Sequence, residues 1–181
     1  HHSYNDVTLY GVGKLSNEGM LRVLNDTHGL SFAALRPFNV YGPRMDIHGA
    51  YTEVMVRWMQ RIAGGQSPII FGDGKQNMDF SYVDDVARSF LLAAGSSRAF
   101  NCAFNVGTGI STSLNELADI VSRAMGSDLP IEYQAADAVA TVQRRQADVT
   151  LARDVLGFEA RVGLEEGINQ LVRWWRVEMA H

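Results

Sequence analysis

The sequence has few of the residues from which disulfides, metal sites and membrane spans are built. Cys102 is the one cysteine in 181 residues, which excludes an internal disulfide, and its apolar neighbours predict a buried strand residue rather than a nucleophile. None of the five histidines lies at ligand spacing from another His, Cys or carboxylate, so no metal site is predicted. No apolar run approaches the roughly 20 residues of a membrane span, and the N-terminus does not resemble a signal peptide. We therefore expect a cytoplasmic protein with no membrane partner.

The chain also lacks a large excess of charge of either sign. The formal net charge is −4, which gives no electrostatic basis for nucleic acid as a partner. Hydrophobic residues make up 46% of the chain, an ordinary content for a globular core, and the length suits one domain or one and a fraction.

Helical and strand patterns alternate along the chain, which predicts an α/β architecture. Ser113 and Glu116 have the spacing of a capping box and predict the start of a helix at Leu114. The other predicted helices cover residues 9–28, 49–62 and 84–94, and a last helix begins at Leu164. The predicted strands cover residues 31–35, 68–71, 79–83, 104–106 and 130–133.

Tyr10 and Lys14 are four residues apart in the first predicted helix and would lie on one face of it. A nearby ammonium favours the phenolate form of a tyrosine and lowers its pKa, so the pair could accept a proton from an alcohol or sugar hydroxyl. The same spacing also occurs on ordinary exposed helix faces, and the pair alone does not decide between these alternatives.

Two glycine-containing loops could be mistaken for phosphate sites. Gly107 and Gly109 follow a predicted strand and precede a helix, but Thr112 occupies the position of the third glycine of a dinucleotide fingerprint. The segment FGDGK at residues 71–75 lacks the spacing and the hydroxyl residue of a P-loop. We expect a tight turn there and no pyrophosphate site in either loop.

Six ordered motifs together resemble one family, the extended short-chain dehydrogenases/reductases, and within it the NAD-dependent nucleotide-sugar epimerases and dehydratases such as UDP-glucose 4-epimerase. The motifs are YGVGK (10–14), LRPFNVYGPR (35–44), FGDGK (71–75), MDFSYVDDV (78–86), NVGTG (105–109), and LGF (156–158) with LEEG (164–167). They cover nearly the whole chain in the order of the family.

The resemblance implies a role for each matching residue. Tyr10 resembles the catalytic base, and Lys14 its partner, which also binds the nicotinamide ribose; both residues therefore contact the cofactor. Pro37 and Phe38 match the backbone that approaches the nicotinamide. The implied cofactor is NAD rather than NADP.

The substrate implied by the resemblance is a nucleotide-diphosphate sugar. Asn39 matches an asparagine that contacts the diphosphate, and Arg144 and Arg145 resemble arginines that bind it, although a solvated loop remains an alternative for these two. Met78 stands where the family often has an arginine. Either the substrate differs, which leaves a reductase on a non-nucleotide substrate open, or Arg44 and the two later arginines hold the phosphates.

The family's N-terminal half, which carries the glycine-rich NAD-binding loop, has no counterpart in this chain. The resemblance thus implies the C-terminal part of a doubly wound Rossmann-type fold plus a small α/β substrate-binding lobe. Residues 1–40 and 79–110 would be the remnant of the NAD-binding domain, and residues 41–78 and 111–181 the substrate lobe.

Two functions follow as expectations. The first is an NAD-dependent epimerase or dehydratase that acts by transient hydride transfer. This chain would be a fragment of that enzyme and would be inactive alone. The second is a non-catalytic remnant or binding module that cannot hold NAD by itself. A half-fold would expose apolar surface and open strand edges. We therefore expect a homodimer, with the Tyr10 helix as contact surface, or pairing with a missing N-terminal segment.

Overall fold

The computed structural model describes residues 9–48, 53–135 and 144–180. Within these ranges helices alternate with short strands, as the sequence predicts. The helices are α1 (Leu9–His28), α2 (Val54–Ala63), α3 (Val83–Ala94), α4 (Leu114–Met125), α5 (Thr150–Leu156) and α6 (Leu164–Glu178). The strands are β1 (Ala33–Pro37), β2 (Val40–Tyr41), β3 (Ile69–Phe71), β4 (Asn77–Met78), β5 (Ser81–Tyr82), β6 (Cys102–Val106), β7 (Thr112–Ser113), β8 (Glu132–Gln134) and β9 (Arg144–Arg145).

The longest strands, β1 and β6, form a parallel pair in which Ala33 is opposite Cys102 and Pro37 is opposite Val106. Parallel strands are usually covered by helices, and here α3 contacts β1 while α5 contacts β6. Phe104 and Val106 of β6 are fully buried in the resulting cluster, together with Phe158 after α5. This pair therefore gives the molecule one of its two cores.

The larger core lies where α2, α4 and α6 pack together, with β2 and β5 at its border. Helix α4 begins with the predicted capping box: Glu116 N donates to the Ser113 hydroxyl, and the Glu116 carboxylate accepts from Ser113 N. Its apolar stripe is fully buried at Leu117 and Val121, and that of α6 at Leu171. Helical periodicity thus identified the core-facing sides of both helices.

Short strand pairs join distant parts of the chain. β2 pairs with β5 and β3 with β8, both in parallel. β4 lies between β7, to which it is antiparallel, and β9, to which it is parallel. Of these pairs, β4–β9 brings Met78 together with Arg144 and Arg145, which the motifs of the sequence singled out.

Several predicted boundaries differ from the structure. The strand predicted at 31–35 lies two residues later, because its pairing with β6 continues to Pro37. The strand predicted at 79–83 is reduced to Ser81–Tyr82, since Val83 already begins α3. Helix α2 begins at Val54, and residues 49–52 of its predicted span lie outside the described residues.

Cys102 lies on strand β6 as predicted, but its side chain is only half-buried. None of the helices in the described ranges combines the length and apolar content that crossing a membrane requires.

Candidate functional site

Helix α1 carries the Tyr10 and Lys14 positions in its first two turns. Residues spaced by four share a helix face, so Tyr10, Lys14 and Glu18 belong to one stripe. The Lys14 side chain is exposed, and that of Glu18 is only 17% exposed. The side chain of Tyr10 lies outside the described part of the structure.

A bidentate ion pair attaches this stripe of α1 to strand β1. Arg36 Nε and Nη2 donate to the two carboxylate oxygens of Glu18 at 2.6 and 2.5 Å. The hydrogen bond from Arg36 lowers the pKa of Glu18, against the opposing effect of burial. Because Arg36 immediately precedes Pro37, the pair fixes the Lys14 face of α1 on the side that adjoins the carboxyl end of β1.

The carboxyl end of β1 carries the predicted residues Pro37, Phe38 and Asn39. Phe38 N donates to Val106 O at 2.9 Å and extends the parallel ladder by one residue. Asn39 then adopts a left-handed backbone conformation, with φ 34°, which asparagine tolerates better than most residues. Its Nδ2 donates to Asp79 O at 2.6 Å, so the end of β1 is joined to the segment between β4 and β5.

Met78 and the two late arginines meet in one backbone ladder. In the parallel pairing of β4 with β9, Asn77 is opposite Arg144 and Met78 is opposite Arg145. The Met78 side chain is partly buried against the larger core. The side chains of both arginines lie outside the described part of the structure, but their backbone lies beside the strand that contains Met78.

Arg44 lies in the turn that follows β2. Its side chain is exposed, and its backbone has a left-handed φ of 70°. The backbone pairing of β4 with β9 and the bond from Asn39 to Asp79 bring Asn39, Met78, Arg144 and Arg145 together, and those two contacts do not involve Arg44.

The loop after β6 cannot serve as a cradle for a pyrophosphate. The N–H groups of Thr108 and Gly109 donate to the carboxylate of Asp79 at 2.9 and 2.8 Å. A bound anion would need those donors. The N–H groups that such a site would use are thus engaged by Asp79.

The other glycine loop is the predicted tight turn. Gly72 and Gly74 have φ values of 88° and 69°, and Lys75 N donates to Asp73 Oδ1 at 3.0 Å. Both glycines thus serve the turn between β3 and β4.

Sequence reasoning missed Asp79. This residue is fully buried, and its carboxylate accepts four hydrogen bonds. A signal was available, because an aspartate at the start of a predicted strand, if it is buried there, must find partners or be very costly to bury.

A separate cavity of about 440 Å³ lies beside the C-terminal half of α4, with Asp119, Arg123 and Tyr133 in its lining. No predicted site residue lines it. Across the described ranges, no group of three or more His, Cys, Asp and Glu residues could hold a metal ion.

Comparison with known proteins identifies similar chains. The model of the NAD dependent epimerase/dehydratase family matches residues 1–107. The UDP-glucose 4-epimerase of Mycolicibacterium smegmatis is 35% identical over 95% of this chain and 54% of its own length. The chain thus spans about half the length of the curated relatives that it matches.

Two solved structures have the same fold. The UDP-glucose 4-epimerase of Thermotoga maritima, solved with UDP-glucose, is 36% identical with a TM-score of 0.87, over 94% of this chain and 54% of its own. MoeE5, solved in complex with UDP-glucuronic acid and NAD, is 33% identical with a TM-score of 0.85, over 98% of this chain and 60% of its own. The predicted fold class, part of a Rossmann-type α/β fold, is confirmed.

Proposed function

Because the chain belongs to the NAD-dependent epimerase/dehydratase family, we propose that it forms the substrate-binding part of an enzyme that epimerises or dehydrates a nucleotide-diphosphate sugar. The observation that supports this proposal most is the pairing of β4 with β9 beside the end of β1. That arrangement supports our assignment of Asn39, Met78, Arg144 and Arg145 to one diphosphate site.

The charge of a diphosphate suits this group of residues. Guanidinium groups form paired, charge-assisted hydrogen bonds to phosphate oxygens, and Arg144 and Arg145 would supply them. Met78 cannot add a charge, so these two arginines would carry the electrostatic part of binding, with Asn39 as a polar neighbour. We expect Arg44, exposed in its turn, to contribute less than the paired strand residues.

The proposed chemistry takes place at the end of β1. Tyr10 would accept the proton of a sugar hydroxyl, and the ammonium of Lys14 would stabilise the phenolate and bind the nicotinamide ribose. The backbone at Pro37 and Phe38 would orient the nicotinamide. NAD, when bound, supplies the hydride acceptor and returns the hydride.

A second function is favoured by the loop after β6. Thr108 N and Gly109 N of that loop are already bonded to Asp79 and are not available to a pyrophosphate. The chain could then act as a binding module for a nucleotide sugar without holding NAD by itself.

The homodimer, the cytoplasmic location and the division into two domains remain predictions.

Calorimetric titration of this chain with UDP-glucose tests the proposal. We expect binding by the unaltered chain, weakened about tenfold or more in Arg145→Ala, because a hydrogen bond to a charged group contributes roughly 1.5–3 kcal/mol. Arg123→Ala is the matched control: this arginine is exposed and paired with Glu165, so its loss should leave the affinity unchanged.

Absence of UDP-glucose binding, or equal losses in the two arginine variants, would contradict the proposed site. A parallel titration with NAD separates the two functions, since tight NAD binding by this chain would exclude the binding module that cannot hold NAD.

A further inference from the structure

Asp79, which lies between the short strands β4 and β5, accepts five hydrogen bonds. Its Oδ1 accepts hydrogen bonds from Thr108 N at 2.9 Å and from Thr108 Oγ1 at 2.6 Å. Its Oδ2 accepts from Gly109 N at 2.8 Å and from Ala147 N at 3.2 Å. Its backbone carbonyl accepts from Asn39 Nδ2 at 2.6 Å. One fully buried residue therefore joins three separate segments of the chain.

The chemistry of these contacts requires a carboxylate. All four groups that face the side chain are donors, and an ionised aspartate presents only acceptors. An asparagine would direct its NH₂ group at one pair of these donors and leave them unsatisfied.

The backbone around Asp79 is shaped to admit it. A Cβ added at Gly107 would lie 2.8 Å from Asp79 Oδ2 and 2.6 Å from the Ala147 Cβ. The absence of a side chain at Gly107 therefore permits both the carboxylate and the Ala147 segment to lie against the loop.

The segments that Asp79 joins are the ones that carry the candidate diphosphate site. Ala147 lies two residues after strand β9, so its bond to Asp79 holds the end of the Arg144–Arg145 strand. Gln146 supports the same attachment, because its Nε2 donates to Gly109 O at 2.6 Å. Asn39 is attached to the same residue through the hydrogen bond from its Nδ2 to the backbone carbonyl of Asp79.

We propose that Asp79 is a positioning residue that sets the placement of the β9 arginines and of Asn39 relative to each other. This inference rests on the proposed function, because it assigns those residues to diphosphate binding. Asp79 would not touch the substrate; it would act through the segments that it holds.

The chain contains a matched control for this proposal in Asp85. This carboxylate is also buried, and it also accepts from backbone N–H groups, those of Arg161 and Val162 at 2.9 and 3.0 Å. Its partners lie before α6, away from the β4–β9 pair. A purely structural role for both aspartates predicts the same consequences for both substitutions.

The first experiment compares Asp79→Asn with Asp85→Asn. UDP-glucose affinity is measured by calorimetry at a temperature at which circular dichroism shows each variant fully folded. We expect Asp79→Asn to weaken binding about tenfold or more and Asp85→Asn to leave it within about twofold, although both lower the unfolding temperature. Equal affinities in the two variants would overturn the proposal.

A milder pair of variants covers the case in which Asp79→Asn does not fold. Thr108→Val removes the hydroxyl that donates to Oδ1 and that also accepts from Ile110 N at 3.0 Å, and Thr108→Ser restores a hydroxyl there. We expect weaker UDP-glucose binding in the valine variant and rescue in the serine variant. Weakening without rescue, or no weakening at all, would count against the carboxylate network.

Hydrogen–deuterium exchange separates this inference from the proposed function, because it needs no ligand. If Asp79 holds the segments, the amides of Gly109 and Ala147 should exchange faster in Thr108→Val than in the unaltered chain, while that of Val162 should not change. Unchanged exchange would overturn the positioning role. If exchange is faster in Thr108→Val but the unaltered chain does not bind UDP-glucose, the positioning role of Asp79 stands and the proposed function is refuted.

Discussion

Asp85 shows how a single buried charge in this chain is stabilised. Its side chain is only 4% exposed, and burial by itself would raise the pKa of the carboxyl. Hydrogen bonds from Val162 N, Arg88 and Arg161 N outweigh that effect and bring the pKa below its ordinary value of 3.8. Arg88 also donates to Glu159 O and lies over the Phe158 ring, so the charge is part of a wider network.

The lowered pKa of Asp85 predicts a pH dependence. A group whose pKa is lower in the folded than in the unfolded state stabilises the fold above its unfolded value, and this contribution is lost as pH falls through the folded pKa. Asp85→Asn should therefore reduce the free energy of unfolding most at pH 7 and progressively less below about pH 4. Urea unfolding at several pH values measures this, and a reduction that stays constant down to pH 2 would contradict it.

Tyr10 gives the sharpest prediction for catalysis. In an enzyme that combines this chain with an NAD-binding half, Tyr10→Phe should lower kcat by about 10²–10⁴-fold, the range for loss of a general base, while NAD affinity is retained. Tyr133→Phe is the control, because it removes a hydroxyl bonded to Asn115 outside the proposed site. Unaltered turnover in Tyr10→Phe, measured by steady-state kinetics, would refute the assignment.

At the scale of elements, helix α1 exposes more apolar surface than α2, α4 and α6 do. The apolar stripes of α2, α4 and α6 are buried, whereas α1 has several exposed apolar side chains and is held to β1 by the Glu18–Arg36 pair. The side chains of this pair are 17% and 29% exposed, against 68% and 63% for the otherwise similar pair of Glu165 and Arg123.

This difference in exposure predicts different effects of removing one charge. Glu18→Gln should lower the free energy of unfolding by about 1.5–3 kcal/mol, as for hydrogen bonds between charged groups, because it removes the charged acceptor of two hydrogen bonds from Arg36. Glu165→Gln should change it by about 1 kcal/mol or less, since exposed ion pairs are weak. Chemical denaturation checks both values, and similar losses would mean that the Glu18 pair is no more than a surface contact.

Elements with local signals were predictable from the sequence. Helix α1 has the predicted bounds because Gly29, with φ 67°, ends it, and α4 starts at its capping box. The strands β2, β4, β7 and β9 have two residues each and were not predicted as such. They exist through pairing with distant segments, for which the local sequence has no periodicity long enough to detect.

The contacts within the candidate site were likewise not predictable from local sequence. Motifs identified Asn39, Met78 and the late arginines one by one, but not that Met78 would be opposite Arg145 or that Asn39 would bond to Asp79. Those contacts join residues about 40 and 67 positions apart and depend on the fold as a whole. Helix α5, with seven residues, was also missed, because it has fewer than two full turns of periodicity.

At the scale of the whole molecule, helix α1 has exposed apolar surface. Val12, Met20 and Val23 are 50%, 57% and 59% exposed. Val12 and Val23 are eleven residues apart, about three turns, and Met20 precedes Val23 by three, so the three fall along one side of the helix. Burying such a surface is favourable at about 25 cal/mol per Å², which supports the predicted homodimer or pairing with an N-terminal segment.

The chain alone should therefore associate through α1. Sedimentation velocity at increasing concentration should show a dimer, and the double substitution Met20→Glu and Val23→Glu should abolish it without unfolding the protein. Substituting Leu91→Glu, which is 75% exposed on α3, should leave association unchanged. A monomer at all concentrations, or a dimer that only the α3 substitution disrupts, would contradict the role of α1.

The most direct test of the account is a map of amide chemical shifts in this 20.0 kDa chain during titration with UDP-glucose. We predict the largest changes at residues 38–39, 78 and 144–147, where the ends of β1, β4 and β9 meet. Changes confined to other regions, such as the cavity lined by Asp119 and Tyr133, or no changes at all, would contradict the claim that these strand ends bind a nucleotide-diphosphate sugar.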